Sequence, residues 1–192
     1  RGTLSGEKAS LRLDAPSLPL REIVRDVNKF SNNVMAQHLF LTLGRQSQTG
    51  EQAQGTPETG RAALATWWKK ILPLQPAPVM DNGSGLSRVE RISANSLAAM
   101  LQNAARSRVA QDLLESLPIA GVDATMRERA KAVTGQAFIK TGSLRDVTAV
   151  AGYVNGNSGA RYIVVGMINH PNAGAARPAM DALIQWAVQE QR

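Results

Sequence analysis

A lysine, a glycine and two hydroxyl side chains stand together at Lys140-Thr141-Gly142-Ser143. The lysine supplies positive charge and the hydroxyls donate hydrogen bonds, a combination that suits the binding of a carboxylate. Gly142 has no side chain to keep a substrate away from the backbone, and the N–H of Ser143 is a potential donor to an oxyanion. The tetrapeptide therefore predicts a carboxylate-binding rim, although a Lys-Thr-Gly triplet alone also fits a strand that ends in a turn.

A second polar cluster, Ser31-Asn32-Asn33, lies far earlier in the chain. Ser31 and Asn33 both donate and accept hydrogen bonds, which suits a proton relay and an amide clamp. Serine and asparagine are also ordinary residues at helix boundaries, so the triplet alone equally fits a cap. Whether the two clusters meet depends on the elements that position them.

Apolar residues recur at helical spacing through the first part of the chain, and strand-like patterns replace them from about residue 136. Helices are predicted over 19–29, from Met35 to a C-cap at Gly44, from an N-cap at Thr56 to Ile71, after Ser93, and over 107–116. Strands are predicted over 136–143, 147–154 and 161–169, with a hairpin signal at Asn155-Gly156 and a further short strand within 9–14. A last helix would cover the sheet with one apolar face: Met180, Leu183, Ile184, Ala187 and Val188. We predict a single α/β domain with a helical cluster, then three antiparallel strands, then one covering helix.

The composition excludes several kinds of site. The sequence contains no cysteine, so disulfides, thiolate nucleophiles and thiolate metal ligands are ruled out. The two histidines, His38 and His170, are too few and too scattered to predict a metal site, and no cofactor is expected. The net charge of +7 raises the question of nucleic acid, but the basic residues are spread along the chain and only 4% of residues are aromatic. We expect a solvated basic surface without a nucleic-acid partner, and no apolar run approaches the ~20 residues of a membrane span.

Taken in their order along the chain, Ser31-Asn32-Asn33 and then Lys140-Thr141-Gly142 resemble the Ser-x-Asn and Lys-Thr-Gly motifs of β-lactamases and penicillin-binding proteins. Longer segments at 17–20, 81–88, 117–123 and 140–153 resemble the low-molecular-mass class C penicillin-binding proteins, which are D-Ala-D-Ala carboxypeptidases and endopeptidases. The resemblance covers roughly residues 16–190. The sequence departs from it at Ala124, where the family usually has glycine, at Met126, where leucine is common, and at Asn32, where aspartate is frequent.

The resemblance implies the β-lactamase/transpeptidase-like fold and a periplasmic serine DD-peptidase that acts through an acyl-enzyme. It assigns Ser31 to proton relay toward the leaving group, Asn33 to holding the substrate peptide, and Lys140 to positive potential. It assigns Thr141 and Ser143 to the terminal carboxylate of D-Ala or of penicillin, with the Ser143 N–H as half of the oxyanion hole. The implied ligands are peptidoglycan stem peptides and β-lactam antibiotics.

Such enzymes attack the substrate carbonyl with the serine of a Ser-x-x-Lys motif. One string of this form exists here, at Ser5-Gly6-Glu7-Lys8. The motif should open a helix, whereas glycines flank Ser5 and a strand-like pattern follows close behind. We therefore interpret residues 1–192 as the C-terminal part of a penicillin-binding domain, inactive alone and dependent on a missing N-terminal part. Two alternatives are left open: a serine β-lactamase or esterase of the same fold, against which segment 81–88 argues, and a non-enzymatic basic binding module.

Overall fold

The structure is a computed structural model that describes residues 13–50 and 52–190. The string Ser5-Gly6-Glu7-Lys8 and most of the strand predicted within 9–14 lie outside the described residues. Residues 13–19 form no regular element and lead into the first helix. Within the described ranges, no helix is both long enough and apolar enough to cross a bilayer.

A helical cluster forms the first part of the chain: α1 (Leu20–Phe30), α2 (Asn33–Gln46), α3 (Pro57–Ile71), α4 (Ala94–Ala105) and α5 (Ala110–Ser116). The Thr59 N–H donates to the Thr56 hydroxyl at 3.3 Å, and the Thr56 N–H donates to the Thr59 hydroxyl at 2.9 Å. This capping box, with Pro57 in the first turn, begins α3 where the sequence predicts it. Ser93 caps α4 by accepting from the Ser96 N–H at 3.0 Å.

The prediction that α2 ends at Gly44 is wrong, because the helix continues to Gln46. Gly44 is buried where α2 packs against α3, and a Cβ atom there would lie 2.5 Å from the backbone nitrogen of Gly60. A Cβ atom on Gly60 would in turn lie 2.8 Å from the ring of Phe40. The two glycines let the helices approach closely, so Gly44 serves packing and not helix termination.

Three antiparallel strands follow in the order β1-β2-β3: β1 (Ala137–Leu144), β2 (Val147–Asn155) and β3 (Arg161–Asn169). Arg145 and Asp146 alone link β1 to β2, and Asp146 has a φ of 64° that suits so short a link. At the predicted hairpin signal, Asn155 pairs with Arg161, which leaves residues 156–160 as the loop.

Helices cover both faces of this sheet. The predicted apolar face of α6 (Arg177–Gln189) packs on one face, with Met180, Ile184, Ala187 and Val188 buried and Leu183 partly buried. On the other face, a second apolar cluster joins α4 and α5 to the strands, and the buried Tyr153 hydroxyl donates to the Leu101 carbonyl at 2.7 Å. Short 3-10 helices at Ala124–Met126, Lys131–Val133 and Ala173–Ala176 complete the described chain. The predicted order of helical cluster, antiparallel sheet and covering helix is confirmed.

Candidate active site

Ser31 lies at the junction of α1 and α2 and has a left-handed backbone with φ 50° and ψ 46°. This conformation costs a residue other than glycine about 1–2 kcal/mol. The next residue, Asn32, caps α2 by accepting from the Met35 N–H at 3.0 Å, which makes Asn33 the first residue of that helix. The helix boundary therefore turns Ser31 and Asn33 toward the same space.

Lys140 on β1 contacts this junction directly. Its Nζ donates to Ser31 Oγ at 2.6 Å and to the Thr141 carbonyl at 3.2 Å. The side chain is half-buried, and this burial lowers the pKa of Lys140 below the ordinary lysine value. No carboxylate of residues 13–50 or 52–190 forms a salt bridge with it, so its charge is available to an anionic ligand.

The outer edge of β1 is paired over its first half and open over its second. The Ile139 N–H donates to the Pro118 carbonyl at 2.7 Å, and the Ala137 carbonyl accepts from Ala120 at 2.9 Å. Since backbone groups alternate along an antiparallel strand, the N–H groups of Thr141 and Ser143 point to the same outer edge. No backbone carbonyl in the described part of the chain accepts from either, so this edge can pair with a ligand.

Gly142 stands in this open stretch without a packing reason to be glycine. A Cβ atom there would lie 3.7 Å from the Ala149 Cβ, an ordinary contact distance. Its neighbours inside the protein would therefore accept a side chain. The glycine leaves free the space beside the strand where a ligand would lie.

A glycine-rich turn, residues 81–88, forms the wall near Asn33. Asn33 Nδ2 donates to the Ser84 carbonyl at 2.6 Å, which fixes the orientation of the amide. Gly83 has a φ of 74°, and its missing Cβ would overlap Phe40 of α2. Glu90 Oε1 accepts from the Asp81 and Gly83 N–H groups at 3.2 and 3.4 Å, so the turn is held in place behind the groove.

All six candidate residues line one open groove of about 480 Å³: Ser31, Asn33, Lys140, Thr141, Gly142 and Ser143. Sequence reasoning missed three further polar residues of this groove, Asn28, Ser84 and Thr125. The Asn28 side chain is engaged elsewhere, since its Nδ2 donates to Ser116 Oγ at 2.7 Å. Ser84 could have been found, because it lies within the quoted segment 81–88. Thr125 gave no signal, since its position depends on how the 117–126 loop folds.

A partly buried ion pair links two sides of this groove. Lys29 Nζ donates to Asp123 Oδ2 at 2.6 Å and to the Leu117 carbonyl at 2.7 Å. Lys29 lies two residues before Ser31, and Asp123 lies two residues before Thr125. The pair therefore links the end of α1 to the loop beside β1, independently of the contact between Lys140 and Ser31.

The chemistry available in this groove is anion binding, hydrogen bonding to an extended peptide, and proton transfer between Lys140 and Ser31. Within residues 13–50 and 52–190, no group of three or more His, Asp or Glu side chains could hold a metal ion.

The profile of the family described as D-Ala-D-Ala carboxypeptidase 3 (S13) matches residues 2–190. The chain therefore belongs to the D-Ala-D-Ala carboxypeptidase 3 (S13) family. It is 30% identical over 185 residues to a D-alanyl-D-alanine carboxypeptidase from Actinomadura sp., an alignment that covers 93% of this chain and 33% of that protein. Membership of a peptidase family counts against the non-enzymatic basic module.

Solved structures share the fold. Penicillin binding protein 4 from Haemophilus influenzae superposes with a TM-score of 0.74 at 24% identity, covering 86% of this chain and 42% of the other. A predatory endopeptidase from Bdellovibrio bacteriovorus gives 0.70 at 21% identity, covering 88% and 45%. The chain spans about a third of the length of the curated relatives that it matches.

Proposed function

We propose that residues 1–192 supply two walls of the active site of a serine-type D-Ala-D-Ala carboxypeptidase or endopeptidase acting on peptidoglycan stem peptides. The nucleophilic serine lies outside them in this proposal. The observation that carries it is the 2.6 Å contact between Lys140 Nζ and Ser31 Oγ beside the open edge of β1. Family membership and the name of the Actinomadura relative support the reaction type.

In the proposed complex, the C-terminal carboxylate of D-Ala lies against β1. The hydroxyls of Thr141 and Ser143 donate to its oxygens, and the Lys140 ammonium attracts it electrostatically. The space beside Gly142 lets the peptide lie along the strand. β-Lactam antibiotics also carry a carboxylate, and we include them among the ligands of this groove.

The proposed reaction is an acyl transfer. The nucleophilic serine gives its proton to the lysine of its own Ser-x-x-Lys motif, outside residues 1–192 in this proposal, as it attacks the carbonyl carbon between two D-Ala residues. The Ser143 N–H donates to the oxygen that becomes the oxyanion. As the C–N bond breaks, the leaving nitrogen takes the proton of the Ser31 hydroxyl, and Lys140 returns a proton to Ser31. Lys140 then regains a proton from the lysine of the Ser-x-x-Lys motif, which balances the step. Asn33 donates one N–H to Ser84 and keeps its Oδ1 and second N–H for the substrate peptide. Water then attacks the acyl carbonyl carbon, the bond to the serine oxygen breaks, and that oxygen takes the proton that the water gives up.

The partner that this proposal requires is the remainder of the same protein. It has to bring the nucleophile and the second oxyanion donor into the groove beside Ser31 and Ser143. We place the complete enzyme in the periplasm, because its proposed substrates are found there. Nucleic acid and metal ions have no part in the proposed mechanism.

The test is an NMR titration of the ¹⁵N-labelled longer gene product that contains these residues with N-acetyl-D-alanyl-D-alanine, its Ser-x-x-Lys serine replaced by alanine so that the ligand is not cleaved. We expect the amide signals of Ser31, Asn33 and residues 141–143 to shift, and the L,L dipeptide to bind more weakly. Lys140→Met should weaken binding about ten-fold or more, because a charge-assisted contact is lost. Lys69→Met, at an exposed position of α3, is the matched control and should leave binding unchanged. Equal affinity in both variants, or shifts that avoid β1, would contradict the proposal.

A further inference from the structure

Thr125 lies on the groove beside the carboxylate rim but belongs to neither motif. Its Oγ1 accepts a hydrogen bond from Thr141 Oγ1 at 3.0 Å, and the residue is exposed at the groove surface. It stands on the 3-10 helix Ala124–Met126, whose last residue is fully buried in the main core. A side chain outside both motifs thus reaches the central residue of Lys-Thr-Gly.

The loop that carries Thr125 is anchored on both sides. Before it, the Asp123 carboxylate binds Lys29 at 2.6 Å and accepts from the Ile119 N–H at 2.8 Å. Ala124 then adopts a left-handed backbone with φ 49°, which turns the chain before Thr125. After it, Met126 is buried with no solvent exposure. Thr125 is therefore held on a fixed backbone and not on a freely moving loop.

The hydrogen bond between the two hydroxyls decides which of them can donate to a ligand. A hydroxyl has one proton, and Thr141 gives its proton to Thr125 in this arrangement. The Thr125 proton is then the one left to point into the groove. A carboxylate placed against β1 accepts from Thr125, while Thr141 orients that donor.

We propose that Thr125 is a further substrate-binding residue, which donates a hydrogen bond to the C-terminal carboxylate of the D-Ala peptide. This inference rests on the proposed function, and it extends the carboxylate rim from β1 onto the 117–126 loop. Two hydroxyl donors, Thr125 and Ser143, then face the anion, and Thr141 contributes through its hydrogen bond to Thr125 instead of donating to the carboxylate directly. The predicted signature is selectivity for a free carboxylate over a neutral amide at the peptide C-terminus.

The experiment compares dissociation constants of the longer gene product that contains these residues for N-acetyl-D-alanyl-D-alanine and for its C-terminal carboxamide, by NMR titration, with the serine of its Ser-x-x-Lys motif replaced by alanine so that no acyl-enzyme forms. Thr125→Val keeps the shape of the side chain and removes the hydroxyl, so affinity for the carboxylate should fall about ten-fold. Affinity for the carboxamide should change much less, because that ligand lacks the charge that strengthens the bond. Thr125→Ser keeps the hydroxyl and should restore carboxylate binding to near the original value.

Thr66→Val is the matched control, since it removes an exposed threonine hydroxyl from α3, where Thr66 donates to the Ala62 carbonyl. It should change neither affinity. Carboxylate affinity that is unchanged in Thr125→Val, or lost to the same extent in Thr125→Ser, would overturn the role of Thr125 alone. If the same gene product without a substitution at position 125 binds neither ligand, the proposed function fails and the inference fails with it.

Discussion

Ser31 and Ala124 both hold a left-handed backbone although neither is glycine, with φ values of 50° and 49°. Ser31 itself lines the groove, and Ala124 directly precedes Thr125, another residue of the groove. Non-glycine residues in this conformation are strained, and such strain persists only where the surrounding contacts impose it. The capped start of α2 and the ion pair between Lys29 and Asp123 supply those contacts here.

Replacing Ala124 with glycine should stabilise the chain. Glycine adopts the left-handed region without the steric cost of a Cβ atom, and its larger unfolded-state entropy offsets part of that gain. We expect the free energy of unfolding to rise by about 0.5–1 kcal/mol, measured by urea denaturation at one fixed protein concentration. The control is Ala182→Gly, at an exposed position inside α6, which should lower the free energy of unfolding by about 1 kcal/mol. Destabilisation in both variants would show that Ala124 is not strained.

The charge of Lys140 should be lost at a lower pH than that of an ordinary lysine. Burial lowers its pKa from the usual 10.5, because the charged form is poorly solvated in the groove. Carboxylate binding should therefore decline as the pH rises through this lowered pKa. The free energy of unfolding should change with pH in the opposite direction to carboxylate binding. The unfolded chain holds the Lys140 proton more tightly than the folded chain, so the free energy of unfolding rises with pH between the lowered pKa and 10.5. Titration of the ¹³Cε-labelled Lys140 signal, assigned with Lys140→Met, should give a midpoint below 10.5, and a midpoint at or above that value would refute the effect.

At the scale of elements, the sequence predicted the order of helices and strands because each has its own local signal. Thr56-Pro57 marks the start of α3, Ser93 marks the start of α4, and the apolar spacing of α6 matches its buried face. Gly44 was misinterpreted because a glycine that ends a helix and a glycine that lets another helix approach look alike in sequence. Only the position of Gly60 on α3 distinguishes them. Thr125 could not be predicted for a similar reason, because its hydrogen-bond partner Thr141 lies on a different element and the sequence does not show that the two meet.

Gly44→Ala tests the close approach of α2 and α3. A Cβ atom at this position would lie 2.5 Å from the Gly60 backbone, so the helices must separate to accept it. We expect a loss of about 1–3 kcal/mol in the free energy of unfolding, as for other overpacked interiors. Gly174→Ala is the matched control, because nothing lies within 4 Å of the added atom, and it should change stability by less than about 0.5 kcal/mol. Equal effects of the two substitutions would contradict the helix-contact interpretation of Gly44.

At the scale of the whole molecule, the described sheet has an open edge. β3 pairs with β2 on one side only, and no other strand of the described residues pairs with its outer side. The fold that the resemblance implies has a five-stranded sheet, and we expect its first two strands to lie outside residues 1–192. The chain spans about a third of the length of its curated relatives. An unpaired edge offers N–H and C=O groups to any other strand.

The 192-residue chain expressed alone should therefore self-associate through β3. Light scattering after size-exclusion chromatography should give a mass above that of one chain and rising with concentration. Met167→Pro should reduce this association, since backbone alternation directs the Met167 N–H to the outer edge and leaves the ladder to β2 intact. A monodisperse monomer with cooperative thermal unfolding would favour an autonomous domain.

The most direct test of the central claim is the covalent reaction with a penicillin, followed by mass spectrometry. If this chain supplies the Ser-x-Asn and Lys-Thr-Gly walls but not the nucleophile, incubation of residues 1–192 with a fluorescent penicillin should leave the intact mass unchanged. A longer gene product that contains these residues should gain the mass of one penicillin on a serine outside them. A stable adduct within the 192-residue chain, whether on Ser5 of the Ser-x-x-Lys string or on Ser31 beside Lys140, would contradict the account.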